Sequence, residues 1–386
     1  MTAAGLIFAN IHDQSIPELT RVRSMASVPF GCRYRLIDFT LSNMVNSGIN
    51  RIGLITHHNY QSLLDHIGTG KDWDLARRSG GIKLIPPYIT AYDQGSHIKS
   101  PSHRLEALFG AKDFIAHCNE DYFVLSDCDI ICNIDLSEVI EAHAATKADI
   151  TFVTKRMDAA AMHLAEQVSI IAADENGVVT DFTRAQPTEG MVNLYTNIMV
   201  VSREYLLTIL ANAAAHGHRS FFADVIVPAL GAGNFRAYEY DGWYAYIGSL
   251  EGYFASSMDM LTQEAREGLF GIKNRPVLTK VRNSAPTKYK EGADVKNSFI
   301  ADGCVIEGTV ENSILFRGVK VGKGTVVKNS ILMQDTYQCL KISPPRRSSS
   351  SVRRSCPSPL RAVLVTSWAL CPPRSAPSTA RMPTSA

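Results

Sequence analysis

The sequence contains no apolar run long enough to span a membrane. Its start, Met1-Thr2-Ala3-Ala4, lacks the charged residues that open a secretory signal. Both absences set the expectation of a cytoplasmic protein without a membrane partner. Its eight cysteines (32, 118, 128, 132, 304, 339, 356 and 371) include no CxxC pair. They read as reduced thiols, not as a disulfide framework or a zinc site. Cys128 and Cys132 could meet across one helical turn, but no His or Cys stands nearby to complete a metal site. A basic stripe with interleaved aromatics is also missing, which removes the case for nucleic-acid binding. The net charge of +2 comes from the end of the chain, because residues from Lys341 onward hold eight Lys/Arg and no acid. Without them 31 basic residues face 37 acidic ones, a modestly acidic body of net charge −6.

What is present suffices for one large core and a smaller second one: 386 residues, 45% of them hydrophobic. Leu6-Ile-Phe-Ala9 reads as a first buried strand, followed by a polar loop containing Pro17. Leu41, Met44, Val45 and Ile49 recur at helical spacing, Gly48 can close that helix, and Arg51 to Thr56 follows as a buried strand. Helices are expected over residues 60–67, 105–118 and 134–143, with strands over 82–86, 122–126 and 149–154. This alternation predicts an α/β fold with a doubly wound, mostly parallel sheet. Ligands of such sheets sit outside the carboxyl ends of the strands, so Ala9-Asn10 and Ser126–Asp129 should flank the pocket. Residues 168–202 look antiparallel, with a hairpin signal at Asn176-Gly177. Helices over 203–215, 222–230 and 250–261 and short strands within 237–247 complete a domain over 1–270.

Residues 271–290, with Pro276 and Pro286, read as a linker. Over 291–335, Val295, Ile300, Val305, Val310, Ile314, Val319, Val326 and Ile331 recur every five to seven residues, with glycines at the corners. That is an imperfect hexapeptide pattern of a short parallel β-helix of about two coils. Residues 336–386 then contain no Gly and no acid but eight Pro and eleven Ser. They read as an unstructured basic tail or, as composition favours, as a reading-frame slip near Asp335.

The most specific stretch is Phe30 to Thr56, FG-x-x-YR-x-IDF-x-LSN-x-x-NSGI-x-RIG-x-x-T. It resembles the glucose-1-phosphate adenylyltransferase (ADP-glucose pyrophosphorylase) family of sugar-phosphate nucleotidyltransferases, and the likeness runs over roughly residues 3–335. The resemblance implies a Rossmann-like nucleotidyltransferase domain followed by a left-handed β-helix. It also implies a reaction that joins ATP and glucose 1-phosphate into ADP-glucose and pyrophosphate with Mg²⁺. Chemistry of this kind rests on positioning and charge neutralisation, so it needs a phosphate-cradling loop, basic side chains and metal-holding carboxylates.

Each of these is degenerate here. Where the family has AGGxGTRLxPLT, this chain has Ala9-Asn10-Ile11-His12-Asp13, with a β-branched Ile11 at the point of closest phosphate approach and an acid at Asp13. The family lysine of KRAKP falls on Met25, and that of EKP falls within Arg184-Ala185-Gln186-Pro187. The metal aspartate of LAGDH falls on Cys128, flanked by Asp127 and Asp129 as possible substitutes, and the second metal carboxylate falls on Tyr246. The family's GTADA falls near Arg104-Leu-Glu106-Ala107. Confident catalytic residues are therefore none, and no metal or cofactor is expected in this chain; Mg²⁺ belongs to a catalytic partner.

The resemblance is strongest to the second, non-catalytic subunit type found beside the catalytic one in some bacteria. It implies a partner subunit of the same family, commonly in a heterotetramer, and a phosphorylated small-molecule effector. Arg21, Arg23, Arg33 and Arg35 are the candidate effector residues, since Arg suits bidentate phosphate contacts. Two other readings stand: a competent nucleotidyltransferase that uses Asp127 or Asp129, and a stand-alone sugar-phosphate or nucleotide sensor.

Overall fold

A computed structural model describes residues 2–86, 104–162, 167–334 and 337–338. The expected tail lies outside these residues except for Tyr337–Gln338. Besides a small hairpin of Pro29–Phe30 and Tyr34–Arg35, the described residues of the first part form β1 (Ala3–Phe8), β2 (Arg51–Ile55), β3 (Gly81–Ile85), β4 (Tyr122–Asp127), β5 (Ile130–Cys132), β6 (Ile150–Asp158), β7 (Val168–Ala173), β8 (Val179–Ala185), β9 (Met191–Ser202), β10 (Phe235–Glu239) and β11 (Tyr244–Tyr246).

The strand β1 is buried almost throughout, as a central parallel strand must be. It pairs in parallel with β4 on one side and β2 on the other, and β3 extends the sheet beyond β2. The mostly parallel sheet therefore stands, with an antiparallel insert: β9 runs antiparallel to β4, β6, β7, and β8 pairs β7. Two apolar clusters, one around Phe123 and Phe152 and one around Val124 and Val153, show that neighbouring residues of β4 and β6 feed opposite faces.

The anchor segment explains its own sequence. Helix α1 (Leu36–Asn46) starts where the Asp38 carboxylate accepts the Arg35 backbone N–H at 3.0 Å. It ends at Gly48, which adopts φ +78°, a left-handed conformation suited to glycine. Asn43 donates to the Cys132 carbonyl at 3.1 Å and accepts the Ile134 N–H at 3.3 Å, which fixes α1 against β5. Buried Asp38 also meets His66 at 2.6 Å.

Some expectations need correction. The helix expected over 105–118 is two, α2 (Arg104–Gly110) and α3 (Lys112–His117). The helix expected over 222–230 is a π-helical segment, Phe221–Ile226, continued by a single α-helical turn, Val227–Ala229, with Pro228 in its first turn. A further helix, Gln263–Phe270, follows Leu250–Asp259. Cys128 and Cys132 do not share a helical turn, because the chain between them is extended.

Beyond residue 287 three parallel ladders form. One stacks Asp294–Lys296, Thr309–Glu311 and Val326–Lys328, and a second stacks Phe299–Ile300, Ile314–Leu315 and Ile331–Leu332. The third begins with Lys288–Tyr289, inside the expected linker, and ends with Tyr337–Gln338 against Lys320–Val321. Asn297, Asn312 and Asn329 repeat at positive φ, and their amides bond along the stack at 2.8 and 2.6 Å. Val326 was expected inside but is 60% exposed, while Val327 is 7% exposed, because Val327 is the residue in register with Val310. Ala301, Ile314, Phe316 and Ile331 pack with Phe30, Phe39 and Tyr253, joining the coils to the sheet domain.

Candidate functional site

The strands β1 and β4 end side by side, with Phe8 opposite Asp127. In a sheet of this kind the ligand pocket lies here. A cavity of about 260 Å³ does open at this end, lined by Ile11, His12, Arg104, Arg184, Tyr195 and Tyr246 among others. A larger groove of about 720 Å³ lies at the opposite ends of the strands, where Arg51 and Glu120 are already paired at 2.9 Å. We assign the site to the smaller cavity on topology.

The loop after β1 is tied to the protein's own backbone. Asn10 donates to Asp13 Oδ2 at 2.6 Å and to the His58 carbonyl at 3.0 Å, and it accepts the His57 N–H at 2.9 Å. Asp13 Oδ1 accepts the Met25 N–H at 2.6 Å, and the Asp13 carbonyl accepts the Thr20 hydroxyl at 2.6 Å. Burial raises the Asp13 carboxyl to about 6, against the bonds from Asn10 and Met25. Ile11 packs on the apolar cluster, and Met25, at the family's lysine position, is buried in the core. A loop with these commitments turns few donors outward for a triphosphate.

Asp127 and Asp129 are fully buried at the strand end. Across the bend that follows β4 they converge with His12, and Cys128 between them packs into an apolar cluster. Burial, together with the two acids, holds the Cys128 thiol protonated. The acids are met by cations from the protein itself. Arg104 places Nε 3.1 Å from Asp127 Oδ1 and a second nitrogen on Oδ2, a fork-to-fork pair. His12 Nε2 lies 2.7 Å from Asp127 Oδ2 and 3.4 Å from Asp129 Oδ2. Asn197, at φ +63° where β9 shifts register, donates to Asp129 Oδ2 at 3.3 Å. Arg104 also sits 5.5 Å from the Tyr195 ring.

The charges follow from this packing. Burial disfavours the His12 imidazolium, but Asp129 and Asp127 outweigh it and raise the group to about 9. Burial alone would raise Asp127, yet Arg104 and His12 hold it below the usual carboxylate range. Asp129, with weaker partners, is pushed up by burial. A magnesium ion wants several oxygens open toward it. Here both Asp127 oxygens are taken, and only Asp129 Oδ1 lacks a partner. The residues present do not fit the metal that the fold family implies.

The pH dependence of stability carries a sign. His12 keeps its proton in the folded protein up to about pH 9, whereas an unfolded histidine releases it near 6.5. Its stabilising contribution is complete below 6.5 and is lost as pH rises through 9. Wild-type stability should therefore fall from pH 6.5 to 9 by roughly 1–3 kcal/mol more than that of His12→Gln. Parallel urea denaturation curves at both pH values would show it, and equal slopes for the two proteins would contradict it.

The other residues picked from sequence separate. Tyr246 lines the cavity and pairs with Ile130 across β5 and β11. Arg184 reaches the cavity wall from the segment that lacks the family's lysine. Arg23 and Arg35 lie near one another, and the Arg35 guanidinium, which bonds Ser62, is lowered to about 10 by burial and by Arg23 and Arg282. Arg33 lies over the Tyr34 ring at 5.7 Å, and Arg21 is exposed, its carbonyl bonded by Asn59. Sequence reasoning missed His12, Arg104 and Arg282 as site residues. A histidine in a loop that should be glycine-rich was a visible signal for the first. Arg282 was hidden by its place in an apparent linker.

A buried acid pair at the strand ends beside β1, on this sheet and with this β-helix, defines a nucleotidyltransferase scaffold. The sequence model of the Nucleotidyl transferase family matches residues 16–263, and that of the GlmU-like C-terminal hexapeptide matches residues 283–338. The chain belongs to the glucose-1-phosphate adenylyltransferase family of nucleotidyl transferases. It is 33% identical over 326 residues to the glycogen biosynthesis protein GlgD of Bacillus subtilis, covering 84% of this chain and 82% of that protein. To GlgD of Geobacillus stearothermophilus it is 36% identical over 323 residues, with the same coverage of 84% and 82%. To the glucose-1-phosphate adenylyltransferase of the same organism it is 32% identical over 332 residues, again covering 84% and 82%. Among the described residues no helix is long and apolar enough to cross a membrane.

Proposed function

We propose that this chain is a non-catalytic, regulatory subunit of glucose-1-phosphate adenylyltransferase that acts in glycogen biosynthesis in the cytoplasm. It would associate with a catalytic homologue, as a heterotetramer, and tune that partner's response to substrates and effectors. The observation that carries this reading is the cluster in which partly buried His12 and Arg104 neutralise the buried carboxylates of Asp127 and Asp129 at the end of β4, beside β1. Adenylyl transfer relies on cations that neutralise the phosphates and on a loop that cradles them. Here both Asp127 oxygens and one Asp129 oxygen are met by the protein's own side chains, and the loop is bonded to itself.

The relatives named as glycogen biosynthesis protein GlgD and as glucose-1-phosphate adenylyltransferase support the pathway assignment. A competent transferase that uses Asp127 would have to break its bidentate pair with Arg104 first. The effector reading rests on Arg23, Arg35 and Arg282: burial, and then the nearby Arg23 and Arg282, disfavour the Arg35 charge, a setting that an anionic phosphoryl group would relieve.

The test is to assay pyrophosphate release by a catalytic homologue alone and after mixing with this chain. A shift in the homologue's substrate or effector saturation, with co-elution on size exclusion, is expected. Unchanged kinetics and separate elution would remove the subunit reading.

A further inference from the structure

We infer that the Arg104 guanidinium is a built-in replacement for a divalent cation, so that the Asp127–Asp129 pair is a metal site closed by the protein itself. This rests on the reading of the pocket as non-catalytic, but it concerns metal affinity and can fail separately. Three observations lead to it. The carboxylates converge with His12 so closely that one ligand atom from each of the three lies within 4.8 Å of the others, a geometry that a small cation could bridge. Asp129 Oδ1, fully buried and without a partner, is a donor left over after every protein contact is made. His12 Nε2 touches both acids, and the Asp127 oxygens that a cation would need are instead taken by Arg104, whose fork engages both of them and whose guanidinium carbon lies 5.5 Å from the centre of the Tyr195 ring.

The guanidinium suits this role because it is always charged and its planar fork matches one carboxylate. An arginine at the first residue of α2 is anchored by its helix and cannot be released with product, unlike a metal ion. It fixes the charge of the site in one state. An ion entering wild-type protein would have to compete with a tethered guanidinium for Asp127 and with the His12 proton for both acids. Removing the guanidinium should expose two carboxylates and the Asp129 oxygen to a metal.

The experiment is a titration of the full chain with MnCl₂, following free Mn²⁺ by electron paramagnetic resonance, for wild type, Arg104→Gln and Arg104→Gln/Asp127→Asn. Wild type should show no saturable binding in the millimolar range. Arg104→Gln should bind about one Mn²⁺ at least tenfold more tightly than wild type, and the double variant should lose it. Thermal melting with and without Mn²⁺ gives a second readout, with a midpoint rise expected only for Arg104→Gln. Should that variant not fold, Arg104→Lys takes its place, since it keeps a charge but gives up the fork; tighter Mn²⁺ binding than wild type is expected. Saturable wild-type binding that Asp127→Asn abolishes would overturn the inference. So would a folded Arg104→Gln or Arg104→Lys protein that binds Mn²⁺ no better than wild type. A lone chain that is inactive yet binds metal would reject this inference while leaving the subunit reading intact.

Discussion

Replacing Arg104 with methionine should cost on the order of 3–5 kcal/mol of folding stability, because it removes one partner of a buried ion pair. Asp127 is fully buried, and without the guanidinium it keeps only the edge of His12. Methionine fills much of the volume, so the loss measures charge and hydrogen bonding, not a cavity. Two bonds to one carboxylate disappear together. The loss should be read as the penalty of an uncompensated buried acid. Adding Asp127→Leu to Arg104→Met should therefore recover most of the stability, since apolar replacement of a whole buried pair is often neutral or favourable. Urea denaturation of the single and double variants checks both halves. A single-variant loss under about 1 kcal/mol, typical of an exposed pair, would contradict the burial of this one.

The second large effect is expected in the mixed oligomer. Arg23→Ala with Arg35→Ala should weaken the response to a phosphorylated effector by roughly 10²- to 10⁴-fold, taking about 1.5–3 kcal/mol for each of two charge-assisted bonds to phosphate. Turnover without effector should stay where it was, because these arginines lie on the segment around the start of α1, away from the carboxylate cavity. Arg35 also bonds Ser62, so Arg35→Lys provides the control that keeps charge but loses the fork. Saturation curves of the mixture against effector concentration give the comparison. An unchanged half-saturation point in the double variant would show that the effector binds elsewhere.

Much of the framework could be read from residues 30–56. The periodicity from Leu41 through Ile49 and the closing Gly48 specify a helix feeding a parallel strand, and Leu6-Ile-Phe-Ala9 reads as a buried strand because it is apolar. The helix start at Leu36 with its Asp38 cap and the central place of β1 emerge only in the fold. Degenerate positions are also expected from the sequence at Asn10, Ile11, Met25, Cys128 and Tyr246, where the family resemblance implies residue types that phosphate or metal requires. What meets Asp127 and Asp129 was not legible there. Arg104 is 23 residues from Asp127 and His12 is 115 away, so their meeting depends on how β1 and β4 align in the sheet. Asn197 joins them only through a register shift within β9, which no local propensity encodes. The inward turn of Val327 in place of Val326 has the same origin, since coil register is set by stacking.

Pyrophosphate release from ATP and glucose 1-phosphate, measured with the purified chain alone in excess magnesium, bears most directly on the whole account. With its acids neutralised internally and no phosphate cradle, the chain should turn over at least on the order of 10³-fold more slowly than a catalytic homologue assayed beside it. Turnover within tenfold of that homologue, abolished by Asp127→Asn, would contradict the account outright.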